Sequence, residues 1–146
     1  MHRLIPLILA LGACSSGPNL PEGWEDAELL NDFTQSECGG EPGTATEEFN
    51  AFKAPPSLEI TWTNTAFRCE QPVEGYLRRL GVTHELLVQP VDMEPDTVAR
   101  CDCLYDLDIQ WNIEESLETL KVYKRADEYG GPSTPALFGQ LNFGAE

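Results

Sequence analysis

The sequence predicts a mainly β protein: an antiparallel β-sandwich of immunoglobulin-like kind, or a small barrel, with a short N-terminal helix and disulfide support. Three observations carry this. Apolar and polar residues alternate with period two in several runs, most regularly from Cys101 to Ile113. Clusters of Gly, Pro, Asn and Ser separate those runs where a helical protein would carry longer periodic segments. Four cysteines stand in the body of the chain, Cys38, Cys69, Cys101 and Cys103, an even number. A length of 146 residues suits one domain, and 41% hydrophobic composition is enough for a core.

Taken in order, the first expected element of the body is a helix near 25–33. Trp24, Ala27, Leu30 and Phe33 recur at helical spacing, and Glu25, Asp26 and Glu28 favour the positive end of a helix. Its expected role is to pack Trp24 and Leu30 onto the domain. Cys38-Gly-Gly-Glu-Pro-Gly43 reads as a loop, and Thr44 to Pro56 carries no clear period. From Ser57 onward Leu58, Ile60 and Trp62 alternate with Glu59, Thr61 and Thr63, the pattern of a strand with one buried face. Tyr76 to Leu80 fits either a strand or a helical turn. His84 to Val91 leans to β, with Pro90 at an edge or bulge.

Cys101 to Ile113 places Cys101, Cys103, Tyr105, Leu107, Ile109, Trp111 and Ile113 on one face, and mostly Asp, Gln and Asn on the other. A run of 13 residues would extend about 43 Å, long for one strand, so a bulge or bend is expected. Glu118 to Arg125 gives another strand, with Leu120 and Val122 facing the core. After the turn residues Gly130 to Pro135, Leu137, Gly139, Leu141 and Phe143 mark a last edge strand.

The start of the chain differs in character. Arg3 opens it with positive charge and no acid. Leu4 to Leu11 is an apolar run too short to cross a bilayer of about 30 Å as a helix, but of the length of a secretory h-region. Leu11-Gly12-Ala13-Cys14 follows: a branched apolar residue, two small ones, then cysteine. This segment resembles the lipobox of bacterial lipoproteins. The resemblance implies cleavage before Cys14, acyl chains on that cysteine, and membrane attachment through them. Since about 0.8 kcal/mol accrues per buried CH₂, two or three chains make a durable anchor. Ser15, where aspartate would resemble an inner-membrane retention signal, favours the outer membrane in a cell with two membranes. The expected organisation is therefore a signal peptide at 1–13, a flexible tether at 14–21 and a single β-rich domain at 22–146.

Cysteines in an exported domain are expected as disulfides. Cys101 and Cys103 share a strand face about 7 Å apart, beyond the reach of an unstrained bridge. Each is expected to reach across to Cys38 or Cys69, with Cys69 taking one of the pair and Cys38 the other. Which takes which is open. Cys-x-Cys is not the zinc knuckle Cys-x₂-Cys, and a redox pair needs Cys-x-x-Cys at a helix start. Cys101-Asp-Cys-Leu-Tyr-Asp-Leu-Asp-Ile109, with Phe67-Arg-Cys69 before it, resembles a signature in uncharacterised bacterial lipoproteins of β-sandwich type. The likeness covers about a third of the chain; it implies a fold and disulfide-supported strands, and no activity.

A formal charge of −16 repels phosphate backbones, which argues against nucleic acid as a partner. No nucleophile elbow, phosphate loop or His-rich motif is present. His84, the one histidine after Cys14, is read as a surface or structural residue. Asp102, Asp106 and Asp108 share a strand face, but the first two stand about 13 Å apart, too far to share one ion. They are read as an acidic face that discourages edge pairing. The expectation is a non-enzymatic, lipid-anchored module without cofactor or metal, serving envelope structure or interaction with an envelope protein. The competing expectation is a carrier enclosing a small apolar ligand in a sheet cavity lined by Trp62, Leu107 and Trp111.

Overall fold

The computed structural model describes residues 19–91, 101–114, 116–128, 131–132 and 134–144. The expected signal peptide, Cys14 and the first part of the expected tether lie outside the described residues. Eleven strands follow one another: β1 (Glu28–Leu29), β2 (Asp32–Gln35), β3 (Glu48–Ala54), β4 (Ser57–Arg68), β5 (Val73–Leu80), β6 (Thr83–Pro90), β7 (Asp102–Asn112), β8 (Thr119–Lys124), β9 (Asp127–Glu128), β10 (Gly131–Pro132) and β11 (Ala136–Asn142). Two open sheets result, β1-β5-β6-β8-β11 and β2-β7-β4-β3, with β9 and β10 as a small ribbon. The described residues form a sandwich-like pair of sheets and not a closed barrel.

Among the described residues every pairing is antiparallel except one: β6 and β8 run parallel. The expectation of an antiparallel sandwich is corrected at this point, and the reason is topological. The chain leaves β6, crosses the facing sheet as β7, and returns to its first sheet travelling in its original direction.

The expected helix at 25–33 is absent. Two turns, in which Trp24 N–H donates to the Pro21 carbonyl (3.1 Å) and Ala27 N–H to the Trp24 carbonyl (3.0 Å), bring Trp24 and Ala27 together. The chain then pairs with two sheet edges in succession: β1 on β5, β2 on β7. Nine residues are too few to sustain a helix on local bonds alone, whereas each sheet edge offers a row of unpaired carbonyls and N–H groups. Leu30, between the two short strands, donates its N–H to the Gly75 carbonyl (2.9 Å) and enters the core. At this crossing a Cβ on Gly75 would lie 2.9 Å from the Phe33 ring, so the close approach requires glycine.

The strand Leu58–Trp62 continues to Arg68 by a change of parity. Trp62 stands opposite Leu107 and Thr65 opposite Tyr105, so β4 carries one extra residue over that interval. Asn64, at φ 55°, takes the strain, and the Asp106 carboxylate accepts its N–H at 2.9 Å. The irregularity expected of the long β7 thus resides in its partner. Because of it Leu58, Ile60 and Trp62 before the bulge and Thr65 and Phe67 after it all face inward, where they are buried.

The main core fills the space between the sheets with Leu58, Ile60, Trp62, Leu77, Leu86, Val88, Leu107, Ile109, Leu120 and Val122. A second cluster lies on the outer face of the five-stranded sheet, where Trp24 packs with Tyr76 and Leu87. Trp24 meets Tyr123 edge-on at 5.4 Å and lies under the Arg78 guanidinium at 4.4 Å. Residues 19–27 therefore strap that face, which leaves the central strand β6 covered on both sides. From His84 to Pro90 it is buried throughout, and its polar outward residues find partners: Arg78 and Lys121 for Glu85, Asn19 and Arg125 for Gln89. Leu20 packs against the same cluster, and the Asn19 carbonyl accepts from Arg125 (2.8 Å) and Gln89 (3.2 Å). Of the expected tether at 14–21, residues 19–21 belong to the strap, and the rest lies outside the described residues.

The cysteines pair as Cys38–Cys103 and Cys69–Cys101, with Cα separations of 5.6 and 5.4 Å. Both bridges hold the start of β7. They lie at the same end of the sandwich as Pro90 and the chain's entry at Asn19; the β5–β6 turn and His84 lie at the other.

Candidate functional site

The end of the sandwich opposite the disulfides is built around His84. Gly81 and Val82 form the two-residue turn between β5 and β6, with Gly81 at φ +63°, a conformation that glycine adopts without strain. The Val82 carbonyl accepts N–H groups from Glu118 (2.9 Å) and Thr119 (3.2 Å), tying the turn to the start of β8. This register sets Arg79 directly opposite His84, and both side chains take the inward parity of their strands. From the facing sheet β7 delivers Trp111, whose indole N–H donates to His84 Nδ1 at 3.1 Å. Beyond β7 the chain turns through Glu114, where Leu117 N–H donates to the Glu114 carbonyl (3.2 Å). Between these walls lies a cavity of about 410 Å³, lined by Arg79, His84, Asn112, Glu114 and Ser116 with Ile113 and Leu117.

The indole of tryptophan can only donate a hydrogen bond, so Nδ1 must be the acceptor and the neutral ring must carry its proton on Nε2. His84 therefore presents a donor, not a base, at its second nitrogen. His84 is 6% exposed. Burial pushes its pKa down from the ordinary 6.5, the Arg79 charge pushes the same way, and the Glu114 carboxylate opposes them. A pH dependence follows. Above 6.5 the imidazole is neutral whether the chain is folded or not, and the Trp111 bond contributes in full. As pH falls below 6.5 the unfolded chain binds the proton first, so stability declines until the lowered folded-state pKa is reached. Urea midpoints of the wild type are expected to fall relative to His84→Gln as pH drops below 6.5, because glutamine supplies an acceptor that does not titrate. Parallel pH profiles for the two proteins would contradict the assignment.

The other candidate residues are placed as follows. Trp62 and Leu107 are fully enclosed in the core. Trp62 is covered by Phe49 (5.5 Å between ring centroids) and Phe138 (4.5 Å), and it donates its indole N–H to Glu47 at 2.8 Å. Lys124 bonds to Thr65 (2.9 Å) and pairs with Glu47 (3.7 Å) above the same ring. Neither the His84 cavity nor a shallow depression of about 340 Å³ on the outer face of the four-stranded sheet is lined by Trp62, Leu107 or Trp111. In that shallow depression Asp108 lies between Thr34 and Thr61, and Asp32 and Glu59 flank Gln110. Asp106 instead closes the β4 bulge, and Asp102 pairs across from Arg68 at the other end of β7. Among the described residues no three His, Cys, Asp or Glu side chains are arranged to hold a metal ion. The aspartates of β7 are thus not brought together.

No protein-family model, curated protein or solved structure matches this chain. The site at the His84 end is made by Arg79, His84, Trp111, Asn112, Glu114 and Ser116. Of them, sequence reasoning singled out His84 and Trp111 for other roles and missed Arg79, Asn112, Glu114 and Ser116. The usable signal was the turn-forming Gly81, which predicts a hairpin that sets Arg79 beside His84.

Proposed function

We propose that this chain is a lipid-anchored cell-envelope protein, held through acyl chains on Cys14, whose non-enzymatic sandwich domain serves as an interaction or structural module. In a cell with two membranes its place is the outer one, and its partner class is an envelope protein. The observation that carries the reading is the Leu11-Gly12-Ala13-Cys14 run ahead of a domain that holds two disulfides, and the way the chain enters that domain sets its orientation. The Asn19 carbonyl is clamped by Arg125 and Gln89, and Trp24 is pinned on Arg78 and Tyr123. Only four residues separate Asn19 from Cys14, five Cα–Cα steps with a reach of at most about 17 Å. An anchor at Cys14 thus holds the disulfide end of the sandwich near the bilayer and turns the His84 end away from it.

Two disulfides suit export to an oxidising compartment. The donor character of His84 Nε2 supports a binding role over acid–base chemistry at this end. The filled surroundings of Trp62 and Leu107 weigh against the apolar carrier. The architecture is immunoglobulin-like at the level of two stacked sheets, with its own strand order.

Cell fractionation tests the anchor. The wild-type protein is expected in the membrane fraction and Cys14→Ser in the soluble fraction, at least about tenfold depleted from membranes. Equal membrane retention of the two would overturn the proposal. Crosslinked envelopes from the same strains then report the partner, which should be captured by the wild type and lost with Cys14→Ser.

A further inference from the structure

Apart from the anchor, the cavity at the His84 end has the chemistry of a ligand site. His84, with its Nε2–H, is one of the polar residues that line it. The side chain is more than nine-tenths buried, its Nδ1 is occupied by Trp111, and Nε2 meets no acceptor among the described residues while its ring lines the cavity. A buried donor left without a protein partner is rare, and one that borders a cavity is open to an acceptor from outside the chain, a water or the oxygen of a ligand that displaces it.

The charges around it narrow the choice. Arg79 stands opposite His84 on the neighbouring strand. One of its nitrogens pairs with Glu28, which leaves further N–H groups of the guanidinium fork on the same wall as Nε2. Glu114 supplies a carboxylate from the segment after β7. A simple anion would satisfy Arg79 and His84 but meet Glu114; a simple cation would do the reverse. A metal ion at Nε2 would have to displace the proton that the Trp111 bond fixes there. An apolar molecule would strip water from both charges without replacing it. Asn112 and Ser116 add groups that both donate and accept, and Ile113 and Leu117 give apolar surface for a short side chain. The volume of about 410 Å³ lies within the range of small-molecule sites.

We propose that this cavity binds a small zwitterion of the amino-acid type, with its carboxylate on Arg79 and His84 Nε2–H and its ammonium on Glu114. The inference stands on the His84 end alone and does not depend on Cys14.

The test uses the full chain labelled with ¹⁵N and follows the indole N–H resonance of Trp111, assigned by its loss in Trp111→Phe. Each of the free L-amino acids is titrated to about 50 mM, far above the range of specific binding. At least one is expected to shift the resonance saturably. Its N-acetyl derivative and its carboxamide, which each remove one charge, are expected to bind at least about tenfold more weakly. Arg79→Gln and Glu114→Gln should each produce a similar loss while retaining the wild-type amide spectrum elsewhere. The absence of a saturable shift with every amino acid would overturn the proposal. So would equal binding of the N-acetyl derivative or of the Arg79→Gln protein.

Discussion

Removing the Cys38–Cys103 bridge by a double substitution to alanine is expected to lower the unfolding free energy by about 4 kcal/mol, the larger of two disulfide effects. The bridge spans 65 residues of sequence and the Cys69–Cys101 bridge 32. In the chain-entropy model the longer loop constrains the unfolded chain more, so the second bridge should be worth about half a kcal/mol less. Both fasten the start of β7, the strand at the centre of its sheet between β2 and β4. They differ in what remains once they are cut. Cys69 N–H still donates to the Cys101 carbonyl at 2.8 Å, whereas the loop at Cys38 keeps Gly39 and Gly40 paired with Leu104 (2.9 and 3.0 Å). Urea unfolding of the two double variants, compared at equal pH, checks the ordering. A larger loss from the Cys69–Cys101 pair would show that native contacts, and not loop length, decide the effect.

Trp62→Ala should cost about as much, between about 4 and about 5 kcal/mol. Trp62 has no exposed surface, and its loss opens a void beneath Phe138 and Phe49. It also removes the indole N–H that serves Glu47, and the ring beneath the Lys124 ammonium, 5.8 Å from its centroid. The Lys124 pKa is lowered, chiefly by burial, with Glu47 acting against that shift. Loss of the ring that helps to hold Glu47 in place therefore weakens the partner that keeps this lysine charged. Trp62→Phe separates the contributions: it preserves most of the volume and should cost about 2 kcal/mol, for the lost indole–Glu47 hydrogen bond and the smaller ring, while Lys124 still pairs with Glu47. If Trp62→Phe proved as damaging as Trp62→Ala, the hydrogen bond would outweigh the packing.

Much of this architecture was legible in the sequence because period two is a local property. The alternation from Cys101 to Ile113 gave β7 to within a residue at each end, and Leu58, Ile60 and Trp62 gave the inward face of β4. The segment around Trp24 was misread because residue spacing does not say which surface a side chain meets. Trp24 and Leu30 are both buried, as their spacing implied, but on opposite faces of the five-stranded sheet. The parallel pairing of β6 with β8 depends on where the chain travels between them, which no local pattern records. The His84 site was hidden for a similar reason. Trp111 is 27 residues from His84 in sequence and meets it only because two sheets stack. Arg79 meets it through the hairpin register, and Glu114 through the turn after β7. Asp106 was grouped with Asp102 and Asp108 by parity, yet its work is to hold Asn64 in the bulge.

The most direct test of the anchored-module account is the mass of the N-terminal peptide of the protein isolated from cell membranes. An anchored module would give a chain beginning at Cys14, its mass raised by two or three acyl chains, with no residues from Met1 to Ala13. An intact start at Met1, or a Cys14 without acyl mass on the membrane-isolated protein, would contradict it.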